Sequence, residues 1–192
     1  MAAKTDGCFL RVTEDTRETK PISFGRYKFA LETVRKKLNA GDYACDLIFP
    51  INRNKEELVI RSKIIYERKS KNDLWSTFGS TGERLETFKN EVNRSIADGN
   101  TLIVIVECEP NDIIKGHFYT KEGVGLVKAL VQGPSMMRKL ETIRNKYNLC
   151  FVYKHGRLNM QRYMYERWLG ECREMKRKFK DGLIDREGNP VE

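Results

Sequence analysis

The sequence has few of the residues that build metal-stabilised or disulfide-stabilised folds. Its 192 residues include five cysteines and two histidines, and no two cysteines have CxxC spacing. An odd number of cysteines without that spacing argues against a zinc site or a disulfide framework and favours reduced thiols in an intracellular protein. We therefore predict free and mostly buried cysteines. They are Cys8, Cys45, Cys108, Cys150 and Cys172.

Long apolar runs are also missing. No stretch approaches the length of a membrane span, and the first residues lack the apolar core of a signal peptide. We expect residues 1–8 to form a disordered leader. The expected location is a reducing intracellular compartment, either the cytoplasm or the nucleoid or nucleus.

The charge balance is basic. Lysine and arginine number 36 against 27 acids, which gives a formal net charge of +9. A basic surface favours an anionic partner, such as nucleic acid or, less often, a membrane surface. The apolar content of 40% is ordinary for a globular core.

The periodicity along the chain predicts the element order β-α-β-β-α-α-β-α-β-α, an α/β domain with a mixed central sheet over residues 9–180. Tyr27, Leu31, Val34 and Leu38 recur at helical spacing, which predicts a helix from Arg26 to Leu38. A continuous β-branched run over 101–106 predicts a strand buried on both faces.

Three other segments complete this organisation. Residues 43–66 are expected to form an extended hairpin whose second strand runs from Glu57 to Tyr66. Weak periodicity over 110–132 predicts the most mobile segment, and residues 181–192 are expected to be a tail.

The stretch Ile64–Lys69 is an apolar strand that ends in charged residues. Side chains two apart on a strand point to the same face, so Glu67 and Lys69 can share a pocket while Arg68 faces the other way. A carboxylate and an ammonium on one face fit metal-assisted phosphodiester cleavage. A salt-bridged, solvated strand is the alternative explanation. We expect Arg68 to support the fold or a neighbouring acid.

Further acids follow strands or tight turns: Asp15, Asp42 and, one helical turn past Lys69, Asp73. Acids that gather where strands end repel one another unless a cation lies between them. Mg²⁺ prefers oxygen ligands and is often held by one or two carboxylates plus a substrate phosphate. Ser70 and Asp73 predict the capped start of a helix.

Four ordered blocks resemble the nuclease domain of the XPF family of structure-specific endonucleases. They are Asp15-Thr16-Arg17-Glu18, Gly41-Asp42-Tyr43, Glu67-Arg68-Lys69-Ser70 and Asp73-Leu74. The resemblance covers roughly residues 9–170 and includes Gly82-Glu83-Arg84-Leu85.

This resemblance implies a restriction-endonuclease-like fold and Mg²⁺-dependent or Mn²⁺-dependent cleavage of DNA near branches, flaps or junctions, as in DNA repair and recombination. It implies an acidic metal site of Asp15, Asp42 and Glu67 and a catalytic lysine, Lys69. Arg17, Arg68 and Asp73 would be supporting charged residues of the catalytic motif.

Two departures from the family bear on DNA binding. The gap between Asp42 and Glu67 is longer than usual, and no tandem helix-hairpin-helix module is visible. DNA affinity is then expected from the domain itself, from a homodimer or from a DNA-targeting partner. A basic C-terminal helix end is either a solvated surface or a phosphate contact. The candidate DNA-binding residues are Arg53, Lys55, Arg84, Lys115, Lys121, Lys176 and Arg177.

Two other functions stay open at this point. A catalytically silent, nuclease-like DNA-binding scaffold is one, although such subunits typically lose the acids that this chain keeps. An RNA-directed or single-strand nuclease is the other, with Trp75, Tyr119 and Tyr153 as base-stacking candidates that could equally be core residues.

Overall fold

A computed structural model describes residues 7–27, 30–52, 56–79, 82–121, 125–129 and 131–191, without the side chains of 30–31, 118–121 and 125–128. The strands are β1 (Phe9–Glu14), β2 (Ala30–Arg35), β3 (Tyr43–Pro50), β4 (Glu57–Arg61), β5 (Ile64–Lys69), β6 (Thr101–Val106), β7 (Phe118–Lys121), β8 (Gly125–Lys128) and β9 (Cys150–Tyr153). The helices are α1 (Lys71–Phe78), α2 (Glu83–Ala97), α3 (Pro110–Ile114), α4 (Gly133–Tyr147) and α5 (Gly156–Lys180).

These elements confirm the predicted α/β class, with parallel and antiparallel strand pairs and flanking helices. In the described part of the chain, no helix combines the length and the apolar character needed to cross a membrane. The chain divides into two compact units. The first comprises 1–38, 42–65 and 161–192, and the second comprises 39–41 and 66–160. A single nuclease domain over 9–180 stays a prediction.

The first unit is built around β1. This strand pairs in parallel with β2 on one side and antiparallel with β3 on the other, and β3 pairs antiparallel with β4. Helix α5 supplies Trp168, whose indole Nε1–H donates to the carbonyl of Ile64 at 3.1 Å. The Phe24 ring lies 6.0 Å from the Trp168 ring, and both side chains are fully buried. A buried indole needs such an acceptor, so this bond fixes α5 against the start of β5.

The predicted helix from Arg26 to Leu38 is wrong, because Ala30–Arg35 forms strand β2. The apolar spacing fits a helix, but β1 offers a hydrogen-bonding edge that a helix could not use. Arg11 pairs with Glu32 across the two strands, and Arg35 pairs with Glu14. Val34 is 37% exposed, so it is not the core residue that the helical pattern required. Cross-strand ion pairs stabilise this edge strand.

The hairpin over 43–66 forms as β3 and β4, but its predicted second strand, Glu57 to Tyr66, is two strands. The break falls at Ser62, whose backbone N–H donates to the carbonyl of Cys45 at 2.9 Å. The Ser62 hydroxyl donates to Glu171 Oε2 at 2.6 Å and accepts from the Ile64 N–H at 3.0 Å. A side chain that bonds its own backbone competes with the strand ladder, which explains the interruption.

The second unit contains β6 and β9, which pair in parallel, with β5 on the other side of β6. The five residues 102–106 of β6 are buried, as predicted for a strand covered on both faces. Helices α1 and α2 meet through Phe78 and Phe88, whose rings lie edge to face with centroids 5.0 Å apart. The Phe78 ring also packs against the Phe151 ring of β9, with the ring centroids 6.2 Å apart. This aromatic cluster anchors both helices on the strands.

The segment over 110–132 carries more structure than predicted. Its described residues form the short helix α3 and the antiparallel pair β7–β8, with Phe118 opposite Lys128. Helix α3 begins at a capping box between Glu109 and Asp112, which the sequence contains but periodicity over five residues cannot reveal.

Described residues near both chain ends are more ordered than the predicted leader (1–8) and tail (181–192). Residues 1–6 lie outside the described residues, but Cys8 of the predicted leader is fully buried. In the predicted tail, Ile184 bridges to Pro190 and is buried. The prediction that the cysteines are mostly buried is confirmed, since only Cys150 is exposed.

Candidate functional site

Asp15 lies at the end of β1 and is fully buried. Its Oδ1 accepts from the backbone N–H of Arg17 at 2.7 Å and from Arg17 Nε at 2.8 Å. Its Oδ2 accepts from Arg17 Nη2 at 3.0 Å and from the backbone N–H of Leu38 at 2.6 Å. The Arg17 guanidinium, 53% exposed, also donates to the Leu38 carbonyl. Both carboxylate oxygens are therefore committed to holding the turn and the arginine.

The pKa of Asp15 reflects this arrangement. Burial raises the pKa, but the hydrogen bonds from Arg17 and from the Leu38 N–H outweigh it and hold the pKa below its ordinary value. Donors that contact only the ionised form favour that form. Asp15 is thus held as an ionised carboxylate by the turn and by Arg17.

Asp42 precedes β3 and is half-buried. The β1–β3 register places Glu14 opposite Tyr43, and the next pair is joined by a 2.8 Å bond from Asp15 N–H to the Asp42 carbonyl. The structure therefore brings the first two acidic blocks together in the first unit. Their meeting follows from antiparallel pairing between strands that are distant in sequence.

Arg35 of β2 is a supporting residue that the sequence analysis missed. Its Nε lies 3.1 Å from Glu14 Oε1, and its Nη2 donates to the Glu18 carbonyl at 3.1 Å. Burial raises the pKa of Glu14, Arg35 opposes this, and Glu18 adds to the rise. Arg35 was overlooked because the segment was predicted as a helix, where it would have faced solvent.

Glu67 and Lys69 lie on one face of β5, as predicted. Glu67 is 4% exposed and accepts a hydrogen bond from the Lys69 ammonium. Lys69 Nζ also lies 5.6 Å from the centroid of the Phe88 ring, over its face. The ammonium is thus held between a carboxylate and an aromatic ring, which restricts its position far more than solvent would.

Arg68 faces the opposite side of β5, and its predicted support of a neighbouring acid is confirmed. Its Nη2 donates to Glu107 Oε2 at 2.8 Å, and its side chain is only 6% exposed. Arg157 Nε lies 3.9 Å from the other oxygen of Glu107. The backbone continues the contact, since Glu107 N–H donates to the Lys69 carbonyl at 2.8 Å.

Asp73 closes the second group. The Ser70 hydroxyl caps α1 by accepting from the Asp73 N–H at 3.2 Å, and it donates to the Asp73 carboxylate, which confirms the predicted cap. Asp73 and Lys69 line one cavity of about 330 Å³ together with residues of α2. The lysine therefore borders a concave surface.

Asp15, Arg17 and Asp42 thus form one group in the first unit, and Glu67, Lys69 and Asp73 form another in the second. Among the described residues, no group of three or more histidine, cysteine or acidic side chains is arranged to hold a metal ion. A metal site of Asp15, Asp42 and Glu67 stays a prediction. Carboxylate oxygens suit Mg²⁺, but both oxygens of Asp15 already accept hydrogen bonds.

The candidate DNA-binding residues differ in their surroundings. Arg84 donates to the Ser76 hydroxyl at 2.7 Å, and Lys115, 76% exposed, lies 3.8 Å from Asp112. Arg177 makes a bidentate pair with Glu174, which offsets its charge. Lys176 lies on the same helix end. Arg53, Lys55 and the side chain of Lys121 lie outside the described residues. DNA contact by any of these residues stays a prediction.

The remaining site residue that the sequence analysis missed is Glu91 on α2. Arg84, Thr87, Phe88 and Glu91 follow the i, i+3, i+4, i+7 spacing of one helix face and line the cavity beside Lys69. The available signal was this helical spacing of polar residues around Phe88.

The model of the ERCC4 domain matches residues 14–148, which is most of the chain and includes every catalytic candidate. The chain therefore belongs to the ERCC4 domain family. No match was found among the curated proteins. Membership supports the class of activity expected from the motifs, a nuclease that acts on DNA.

Two solved structures resemble this chain. XPF from Aeropyrum pernix is 18% identical with a TM-score of 0.49, over 92% of this chain and 76% of that one. XPF from Aeropyrum pernix in complex with DNA is 18% identical with a TM-score of 0.53, over 85% of this chain and 65% of that one. The second similarity supports the restriction-endonuclease-like fold. The chain thus spans about two thirds of that relative's length.

Proposed function

We propose that this chain is a metal-dependent DNA endonuclease that hydrolyses phosphodiester bonds near branches, flaps or junctions. The observation that carries the proposal is the buried Glu67–Lys69 pair at the end of β5. Burying a carboxylate and an ammonium together costs solvation energy, and such pairs concentrate at functional sites. The similar Aeropyrum pernix protein is described in complex with DNA, which supports DNA as the partner.

Mg²⁺ or Mn²⁺ is the cofactor of this proposal. Asp42 and Glu67 carry the ligand roles that the motif implies, whereas Asp15 is already an acceptor of four hydrogen bonds. A bound divalent cation would supply Lewis-acid polarisation of the scissile phosphate. Carboxylate oxygens are the ligands that such hard cations prefer.

The protein's own residues supply orientation and charge. Lys69, fixed by Glu67 and the Phe88 ring, orients the attacking water or steadies the charge that develops on the phosphate. Arg17, held by Asp15 and half exposed, presents a guanidinium to a phosphate oxygen. Arg68 supports the strand through Glu107. Branch recognition draws on the domain itself, on a second copy of the chain or on a DNA-targeting partner.

Cleavage of labelled DNA tests the proposal. Linear duplex, flap, fork and four-way substrates are incubated with Mg²⁺, and products and binding are measured in parallel. We expect branched substrates to be cut near the branch, and Glu67→Gln to abolish cutting while binding remains. Glu86→Gln is the matched control, because Glu86 pairs with Lys89 on an exposed helix surface.

The alternatives predict different outcomes in the same assay. A silent scaffold binds branched DNA and yields no product under any metal condition. A nuclease for RNA or single strands cuts those substrates and leaves branched duplexes intact. Cleavage that survives Glu67→Gln would refute the assignment of the metal-site carboxylate.

A further inference from the structure

Helix α2 forms one wall of the cavity beside the candidate catalytic lysine. The cavity, about 330 Å³ in volume, is lined by Lys69 and Asp73 on one side and by Arg84, Phe88 and Glu91 of α2 on another. Phe88 lies beneath the Lys69 ammonium. Glu91 has a different task, because its carboxylate contacts the backbone of another segment.

That segment is the turn 39–41, which immediately precedes Asp42 in the chain. Glu91 Oε1 accepts from the backbone N–H of Gly41 at 2.8 Å. Arg94 Nε donates to the carbonyl of Asn39 at 2.9 Å, and the Asn39 amide donates to Asp98 Oδ2 at 2.6 Å. Glu91 and Arg94 of α2, together with Asp98 at its C-cap, therefore hold one short turn through hydrogen bonds.

The turn needs such support because of its glycine. Gly41 has φ +73°, in the left-handed region that glycine enters without steric cost, and it is buried. Glycine also has the largest conformational freedom, so its backbone is fixed only by its contacts. The Glu91 bond thus sets the direction in which the chain enters Asp42.

We propose that Glu91 is a positioning residue for Asp42, a role that rests on the proposed nuclease function. In this role Glu91 acts on Asp42 through the backbone of Gly41. Its carboxylate is required as a hydrogen-bond acceptor, not as a charge. A glutamine at this position keeps an acceptor oxygen, and a methionine keeps the volume without one.

Steady-state cleavage of a flap substrate tests this role in Glu91→Met, Glu91→Gln and the control Glu86→Ala. We expect Glu91→Met to lower kcat about tenfold to a hundredfold with a small change in KM, because a misplaced catalytic group costs rate more than binding. Glu91→Gln is expected to recover most of kcat. Glu86 is exposed and lies on the solvent side of α2, so Glu86→Ala is expected to behave as wild type.

Amide hydrogen exchange at Gly41 gives a readout that does not depend on activity. We expect slow exchange in the wild-type chain and in Glu91→Gln, and exchange at least tenfold faster in Glu91→Met, since a bonded amide exchanges through opening. A fast-exchanging Gly41 in the wild-type chain would overturn the proposal without any variant. So would a Glu91→Gln protein as impaired as Glu91→Met.

The two proposals fail in different ways. If the wild-type chain cuts no DNA substrate, the nuclease function is wrong. The positioning role of Glu91 is then decided by comparing wild type with Glu91→Met in two measurements, the exchange rate of the Gly41 amide and the Mg²⁺-induced shift of the Asp42 amide signal. If the wild-type chain cuts DNA and Glu91→Met retains wild-type kcat and Gly41 protection, the nuclease function stands and the role of Glu91 is refuted.

Discussion

Replacing Asp15 with asparagine separates a positioning carboxylate from a metal ligand. The oxygen that asparagine retains can keep the hydrogen bonds from the Arg17 N–H and Nε. The new NH₂ group would face the Leu38 N–H, which in the wild-type chain donates to Asp15 Oδ2 at 2.6 Å. An N–H that loses its acceptor away from water costs about 1–3 kcal/mol. Arg17 is 53% exposed and can bind water instead. We therefore expect a loss of about 2 kcal/mol in the free energy of unfolding.

Urea unfolding across a pH series measures this loss. The folded-state pKa of Asp15 is lowered, so the stabilisation from its ionised form is fully present above its unfolded pKa, about 4. It is lost as the pH falls through the folded value. The difference between wild type and Asp15→Asn should be full at pH 7 and should shrink as the pH falls below about 4.

The matched control is Asp46→Asn. Asp46 also pairs with an arginine, Arg61, but the two side chains are 23% and 43% exposed. An exposed ion pair contributes about 0–1 kcal/mol, so the control should lose less stability than Asp15→Asn. Asp46 also lies outside every catalytic block, so its cleavage rate should match wild type.

Mg²⁺ dependence supplies the decisive comparison. If Asp15 positions Arg17 and the turn without contacting the metal ligands, the Mg²⁺ concentration for half-maximal cleavage should change less than about threefold in Asp15→Asn. Loss of even a ligand's hydrogen-bond partner typically weakens a metal site about tenfold or more, and loss of a ligand should cost at least as much. A tenfold rise with unchanged stability would refute the reasoning and make Asp15 a ligand.

Two further substitutions test the residues around Glu67. Arg68→Met should lower the free energy of unfolding by about 2–3 kcal/mol, because the Glu107 side chain, which is only 20% exposed, would keep just the distant Arg157 Nε at 3.9 Å as an ion-pair partner. Urea unfolding measures this loss, and a variant as stable as wild type would contradict the supporting role of Arg68. Lys69→Met should lower kcat on a flap substrate by at least about a hundredfold while DNA binding remains; cleavage at the wild-type rate would exclude Lys69 from the chemistry.

Local features of the sequence were sufficient to predict the arrangement of the second group of site residues, Glu67, Lys69 and Asp73. The period of two along β5 places Glu67 and Lys69 on one face and Arg68 on the other, and the structure confirms this division, because Lys69 bonds Glu67 while Arg68 turns to the opposite side. Ser70 caps α1 as its spacing to Asp73 predicts. These relations span a few residues, so strand and helix geometry alone determine them.

Periodicity failed where pairing with a distant strand decided the conformation. Ala30–Arg35 has helical apolar spacing, but its backbone groups find partners on β1, and its charges find Arg11 and Glu14. A weak local preference gives way when a neighbouring strand offers hydrogen bonds and opposite charges at the right register. The split between β4 and β5 has a local cause, the bond from the Ile64 N–H to the Ser62 hydroxyl, and a tertiary one, the bonds from Ser62 to Cys45 and Glu171.

The sequence by itself determined the class of the fold, the order of the acidic blocks and the pairing of Glu67 with Lys69. Only the tertiary structure decided what each acid is free to do. The Leu38 N–H, 23 residues from Asp15, occupies one of its oxygens, and Glu91, 50 residues from Gly41, holds the turn before Asp42. Such contacts join residues that no local period relates, since they depend on which strands and helices meet when the chain folds.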